Sequence, residues 1–339
     1  MKTSTRKIII LAFLPLLLTM LGCKKEYKTI TKINPDGTCE RTLIVTTGSQ
    51  NTDNSILPLP YDSTWQQKWV KDSASDGDYI LTAKKSFKTY DDLSMLYNGI
   101  NKPSMMKVNL KIDKKFRWFF TYYYYDEKYN MFNLFNKVPI SNYLTQKELN
   151  SYIAGEKEDS INTKINKWEE RNYLEDFFNA FLQAAVKLND PSLTENIIND
   201  KKEGLFKKLT DSKSSTDSLV IELSSFYNTN AVYKLKDVID KEIKSITSKA
   251  ERMADANGTY LNSVLMPGLI ITTNADKIEG NKVSWEFESK KFTFRDFEMK
   301  AESRVINVWA VSLSVVIVIL ILTALLIPVF KKRKNGLIS

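Results

Sequence analysis

The chain has 339 residues, with 49 Lys and Arg against 40 Asp and Glu, a formal charge of +9, and no histidine. The missing histidine excludes Ser-His-Asp and Cys-His catalytic arrangements and every histidine metal site. With three of the nine excess charges before residue 8 and four after Phe330, only two belong to residues 23–304, so the basic balance reports topology and not nucleic-acid binding.

Lys2, Arg6 and Lys7 precede an apolar run from Ile8 to Leu21, which reads as a bacterial export signal over 1–22. Its end, Met20-Leu21-Gly22-Cys23, resembles the lipobox of bacterial lipoproteins, in which the cysteine is acylated and becomes the first residue of the mature chain. Gly22 fits that pattern, and Leu21 is larger than usual. The alternative is a signal that is uncleaved or conventionally cleaved. On the lipoprotein reading Cys23 is a lipid anchor, and Cys39 has no partner for an intrachain disulfide. Cys39 alternates with Leu43 and Val45 on one face of a strand, as a buried structural thiol would.

The body, 23–304, opens with a hairpin: Glu26 to Ile33, a turn at Asn34-Pro35-Asp36-Gly37, and Thr38 to Thr46. A polar stretch from Gly48 to Asp62 reads as a surface loop. Tyr79 to Phe87 reads as a strand and Tyr90 to Tyr97 as a short helix closed by Asn98-Gly99. Val108, Leu110 and Ile112 alternate with polar residues in a half-buried strand. The partner does not alternate. Phe116, Trp118, Phe120, Tyr122 and Tyr124 point one way, and Arg117, Phe119, Thr121, Tyr123 and Tyr125 the other. Such a strand is either central, covered on both faces, or it lines a cavity or docking surface through Trp118, Phe120, Tyr122 and Tyr124.

Helical spacing takes over within about 141–258. Ile161, Ile165, Trp168, Leu174, Phe177, Phe178, Phe181 and Ala185 trace a long helix ended by Asn189-Asp190-Pro191, and Ile239 to Met253 trace another ended by Asn257-Gly258. Thr210 to Ser218 reads as a polar loop. Glu169, Glu170, Glu175 and Asp176 read as solvated charge beside Lys167 and Arg171. Strands return after Met266-Pro267-Gly268, with Leu269 to Thr273, a Gly280-Asn281 turn into Val283, Trp285 and Phe287, and a last strand whose phase slips between Phe294 and Phe297, as at a bulge. The pattern predicts an α+β body: a mainly antiparallel curved sheet with a large helical insertion.

Val305 to Phe330 carries no charge and is followed by Lys331, Lys332, Arg333 and Lys334. As a helix it spans about 39 Å against about 30 Å of hydrocarbon. It reads as a transmembrane helix over 305–330, with Trp309 at the headgroup level and a basic cytoplasmic tail over 331–339. That places the body on the extracytoplasmic, periplasmic face of the inner or plasma membrane, with Cys23 in the outer leaflet of the same membrane and both ends of the sheet at its surface.

Ser104-Met105-Met106-Lys107 matches the S-x-x-K pattern of lysine-assisted serine enzymes, but it runs from Pro103 into a strand and has no companion motifs. No phosphate loop, EF-hand or CxxC pattern occurs, so no enzyme, cofactor or metal site is expected. Asp62-Ser63-Thr64, Asp72-Ser73-Ala74, Asp159-Ser160-Ile161 and Asp217-Ser218-Leu219 resemble the acceptor triplet of general O-glycosylation systems in some Gram-negative envelopes, with Ser73 and Ser218, in polar stretches, as the favoured acceptors.

Taken together, the lipobox, the early hairpin with its Pro-Asp-Gly turn, the late tight-turn hairpin with Trp285 and the terminal membrane helix resemble the layout of LppM-like membrane-anchored lipoproteins. The resemblance implies a sheet curled around a helix and the binding of a lipid or glycolipid; the helical middle is larger than that layout has. The expected function is a double-anchored envelope lipoprotein that binds a hydrophobic envelope ligand. The alternative is a scaffold that docks a membrane-protein partner.

Overall fold

The computed structural model describes residues 25–47, 62–72, 78–99, 106–156, 158–211, 216–256 and 258–335. The leader with Cys23, the loop over 48–61, Ser73, Ser104 and Asn257 lie outside them. The chain is mixed α+β and divides into two compact units, one built from residues 26–130, 260–287 and 296 onward, the other from 131–259 and 288–295.

In the first unit, β1 (Lys25–Ile33) and β2 (Cys39–Thr47) pair antiparallel through the expected turn. Gly37 takes φ 104°, and the Asp36 carboxylate accepts the Thr38 N–H at 2.9 Å. This is turn chemistry that only a residue without Cβ supports easily. With β3 (Gln66–Lys71), β4 (Tyr79–Phe87), β7 (Gly258–Leu265), β9 (Lys277–Glu279) and β10 (Lys282–Glu288) they form a seven-stranded sheet, order β3-β4-β2-β1-β7-β10-β9. A second sheet has the order β5-β6-β11-β8, from β5 (Val108–Phe116), β6 (Phe120–Tyr129), β8 (Leu269–Thr273) and β11 (Phe297–Ile306). The described strands thus form two sheets where one curved sheet is the sequence expectation. Their inner faces meet through ring contacts, Tyr125 with Trp285 and Tyr129 with Phe287.

Helix α1 (Tyr90–Asn98) starts in a capping box, with Thr89 and Asp92 each accepting the other's backbone N–H. Its last side chain, Asn98, donates to the Leu110 carbonyl at 3.2 Å and accepts the Leu110 N–H at 3.1 Å. Backbone groups on the outer edge of β5 are thereby satisfied without a further strand.

Several boundaries differ from the pattern. Strands β3 and β7 have no clear alternation: β3 is an almost wholly exposed edge strand, and β7 buries Asn262 and Ser263 on partners from other strands. The phase slip before Phe297 is a separate short helix, α8 (Lys290–Thr293), and the bulge lies further on, between Glu302 and Ser303 opposite β8. Val305 and Ile306 end β11, so the terminal helix, α9 (Val308–Asn335), begins later than Val305. Within α9, Val308–Ile327 is long and apolar enough to cross a membrane, and nearly all its side chains are exposed.

The sequence pattern also places both ends of the sheet at one surface; the structure separates them. Tyr27, four residues after Cys23, stacks on Tyr260 at 4.8 Å, and Tyr260 meets Tyr129 edge-on at 6.3 Å. Tyr129 is the end of β6 remote from Phe120 and Ile306, where α9 starts. Nine residue steps along a strand make that separation about 30 Å.

The second unit holds α2 (Gln146–Ala154), α3 (Asp159–Leu188), α4 (Glu195–Asp200), α5 (Lys202–Asp211), α6 (Thr216–Tyr227), α7 (Lys236–Ala256) and α8. The apolar stripe of α3 is core as expected: Trp168, Phe177, Phe178 and Phe181 pack with Leu205, Phe206, Leu223, Ile239 and Ile243. Asn189 ends α3 in the left-handed region at φ 51°. Buried Asn172 accepts the backbone N–H groups of Lys137 and Val138 at 2.9 and 3.1 Å, and Trp168 donates to the Val138 carbonyl at 2.7 Å.

Two expectations in this unit are corrected. Thr216 to Ser218 is the first turn of α6 and not loop, with Ser218 exposed. Glu175 and Asp176 are not merely solvated: Glu175 pairs with Arg171 at 3.1 Å and Lys202 at 2.8 Å, and Asp176 with Lys249 at 2.6 Å, tying α3 to α5 and α7. Glu169 is half-buried, and desolvation raises its carboxyl to about 7.

Candidate functional site

The aromatic segment that stands out in the sequence divides into three parts, each with its own surroundings. Phe116 ends β5, Arg117 to Phe119 make the turn, and β6 starts at Phe120, with the Arg117 N–H donating to the Phe120 carbonyl at 2.8 Å. Trp118 is therefore a turn residue and does not continue the row of Phe120, Tyr122 and Tyr124.

The turn is bound to the start of α9 through Asn307. The Asn307 side chain donates to the carbonyls of Arg117 at 2.7 Å and Trp118 at 3.1 Å and accepts the Thr121 hydroxyl at 2.8 Å. Its backbone N–H donates to the Phe119 carbonyl at 2.9 Å, and its own carbonyl accepts from Ala310 and Val311, the first intrahelical bonds of α9. One asparagine thus ties the hairpin turn, through its side chain, to the helix that starts from its own carbonyl. The Trp118 indole N–H donates to Ser314 at 2.8 Å, and Trp309 stacks on Phe116 at 6.1 Å and meets Trp118 edge-on at 5.5 Å. Around this joint Phe116, Trp118, Phe119, Ile306, Val308 and Trp309 are all at least 44% exposed, a contiguous apolar collar.

From Phe120 onward β6 alternates: Thr121, Tyr123, Tyr125, Glu127 and Tyr129 are buried, and Phe120, Tyr122 and Tyr124 are half-buried on the outer face. In register, Tyr122 lies between Lys115 and Arg304, and Tyr124 between Asp113 and Glu302. Arg304 sits 4.5 Å over the Phe120 ring and Lys115 5.0 Å over the Tyr124 ring. The outer face is therefore an aromatic row gripped by cations.

The inner face holds a group that the sequence reading did not single out. Arg41, on β2, donates to both Glu127 oxygens at 3.0 and 2.7 Å and to Thr31 at 2.8 Å, Tyr125 at 3.3 Å and Tyr97 at 2.9 Å. Tyr125 and Asn262 donate to the same carboxylate. Burial pushes the Glu127 carboxyl up, but the Arg41 charge and the hydrogen bonds from Arg41, Tyr125 and Asn262 outweigh it and hold it below the usual range. A charge at an inward position of each of two apolar-faced strands was the available signal. The pair is sealed at 0% exposure, which makes it a structural tie and not a site open to ligand. Cys39 is a buried free thiol, as expected, and desolvation raises it to about 12. Among the described residues no group of three acidic, cysteine or histidine side chains is placed to hold a metal ion.

No family model matches the chain, and no curated protein matches it in sequence. A search of solved structures finds the NMR structure of the Mycobacterium tuberculosis LppM folded domain, 11% identical, with a TM-score of 0.32, over 84% of this chain and 92% of that one. This is a weak structural resemblance to a lipoprotein.

Proposed function

We propose that the chain is a noncatalytic, membrane-anchored envelope lipoprotein that binds an amphiphilic lipid or glycolipid on the outer face of the four-stranded sheet. The observation that carries this reading is the half-buried row Phe120, Tyr122 and Tyr124, which leads away from the foot of the apolar helix with Arg304 and Lys115 against its rings. Aromatic rings receive acyl or sugar-ring faces, and the two cations suit a phosphate or another anionic headgroup. Trp118 is left out of the ligand set because Ser314 and Trp309 engage its ring.

The test is native mass spectrometry of the protein extracted gently from its own membrane. A stoichiometric lipid-sized adduct, beyond any acyl chains on Cys23, that is lost in Tyr122→Ala and Tyr124→Ala supports the reading, and bare protein sinks it. The rival, a scaffold for a membrane-protein partner, rests on β8, an edge strand whose Leu269 and Ile271 are 63% and 42% exposed. A second polypeptide that survives both Tyr variants and leaves in Ile271→Lys favours that rival.

A further inference from the structure

We propose that the tip of the β5–β6 hairpin, Phe116 to Phe119, is itself a membrane-binding element, seated between the headgroups and the upper acyl chains of the bilayer that α9 crosses. This rests on α9 spanning a membrane and is independent of any ligand on the outer face.

The depth follows from the joint. Trp118 bonds to Ser314, which lies six residues beyond Val308 inside the apolar stretch Val308–Ile327. Six residues of helix rise about 9 Å. If the hydrocarbon begins at Val308, the Trp118 indole is about 9 Å inside it. If it begins only at Val315, the run to Phe330 is about 24 Å, short of the roughly 30 Å core. The first turns of α9 therefore enter the bilayer, and the hairpin tip, fixed to them by Trp118 and Asn307, enters with them.

The composition of the tip agrees. Lys114-Lys115-Phe116-Arg117-Trp118-Phe119-Phe120 holds three cations, four aromatic residues and no acid. Phe116 and Phe119 are 56% and 47% exposed, although the unit has a well-packed core elsewhere. Aromatic side chains at the acyl boundary with Lys and Arg at phosphate level are what an interfacial element requires. The occupant of the collar is therefore lipid, which α9 already brings to this end of the unit.

The experiment uses the full chain with both native cysteines replaced, Cys23→Ser and Cys39→Ala, reconstituted through α9 into liposomes of phosphatidylethanolamine and phosphatidylglycerol. Nitroxide labels are placed singly at Phe116→Cys, Phe119→Cys, Leu320→Cys and Met95→Cys, the last an exposed position on α1. Collisional relaxation by oxygen and by a water-soluble nickel chelate is then compared. The proposal expects the labels at 116 and 119 to lose relaxation by the chelate and keep it with oxygen, as at 320, whereas 95 keeps the chelate. Chelate access at 116 and 119 equal to that at 95 overturns it. Shielding of both labels from both reagents indicates protein contact and also overturns it. Chelate access at 320 instead overturns the spanning helix on which the proposal stands, and none of these outcomes bears on the lipid adduct.

Discussion

Arg41 on β2 and Glu127 on β6 meet through two hydrogen bonds in the sealed interior between the two sheets. A pair of this kind is worth little against an apolar substitute of the same shape, but losing one partner leaves an uncompensated buried charge. Glu127→Ala is therefore expected to cost about 3–5 kcal/mol in urea denaturation, and Arg41→Met with Glu127→Leu much less than the sum of the two single changes. The carboxyl is lowered in the folded state. Its contribution is present above the unfolded carboxylate value and is lost as pH falls through the folded one, so wild type should lose stability on acidification more steeply than the double variant.

Glu169 has the opposite sign. Its carboxyl is raised to about 7 by desolvation, so between the ordinary carboxylate value and about 7 the folded state holds a proton that the unfolded state has released. Stability therefore falls as pH rises through that window. Glu169→Gln is expected to flatten that part of a stability profile and to raise the melting temperature more at pH 8 than at pH 5. An equal effect at both values would refute the assignment.

Gly268, in the turn before β8, sits at φ 74°, and a Cβ there would lie 2.2 Å from the Arg304 carbonyl oxygen. Left-handed backbone alone costs an ordinary residue about 1–2 kcal/mol, and the clash with backbone adds to that. Gly268→Ala should shift the urea midpoint downward by more than the backbone cost accounts for, whereas Gly37→Ala, with nothing near its Cβ, should pay only the backbone cost.

Cys39 is 1% exposed, and desolvation raises its thiol to about 12. Since the thiolate is the reactive form, alkylation by iodoacetamide at pH 8.5 should be negligible in the folded chain and rapid in urea. Rapid modification without denaturant would show that β2 opens locally.

The first hairpin, α1, the long α3 and the apolar α9 were legible because each carries its own evidence: turn residues at Asn34 to Gly37, the closing Asn98-Gly99 after Tyr90 to Tyr97, helical spacing of apolar residues from Ile161 to Ala185, and an uncharged run from Val305 to Phe330. Strand β7 was not, because Asn262 and Ser263 are poor strand residues until Glu127 and Ser284 satisfy them. The reversal at Arg117 to Phe119 was hidden for a related reason. It contains no Gly, Pro, Asn or Asp; its carbonyls are held by Asn307, nearly two hundred residues away.

From sequence alone came what is written in local pattern: the missing histidine, the near-neutral body between two basic ends, the strand and helix periods, and a terminal segment long and apolar enough to cross a membrane. Only the tertiary structure decided which aromatic residues share a surface, that Arg41 and Glu127 neutralise each other between two sheets, and that Tyr27 and the start of α9 lie at opposite ends of their unit. Each of those depends on pairing between distant strands, where one residue of register or one unrecognised turn moves a side chain to the other face.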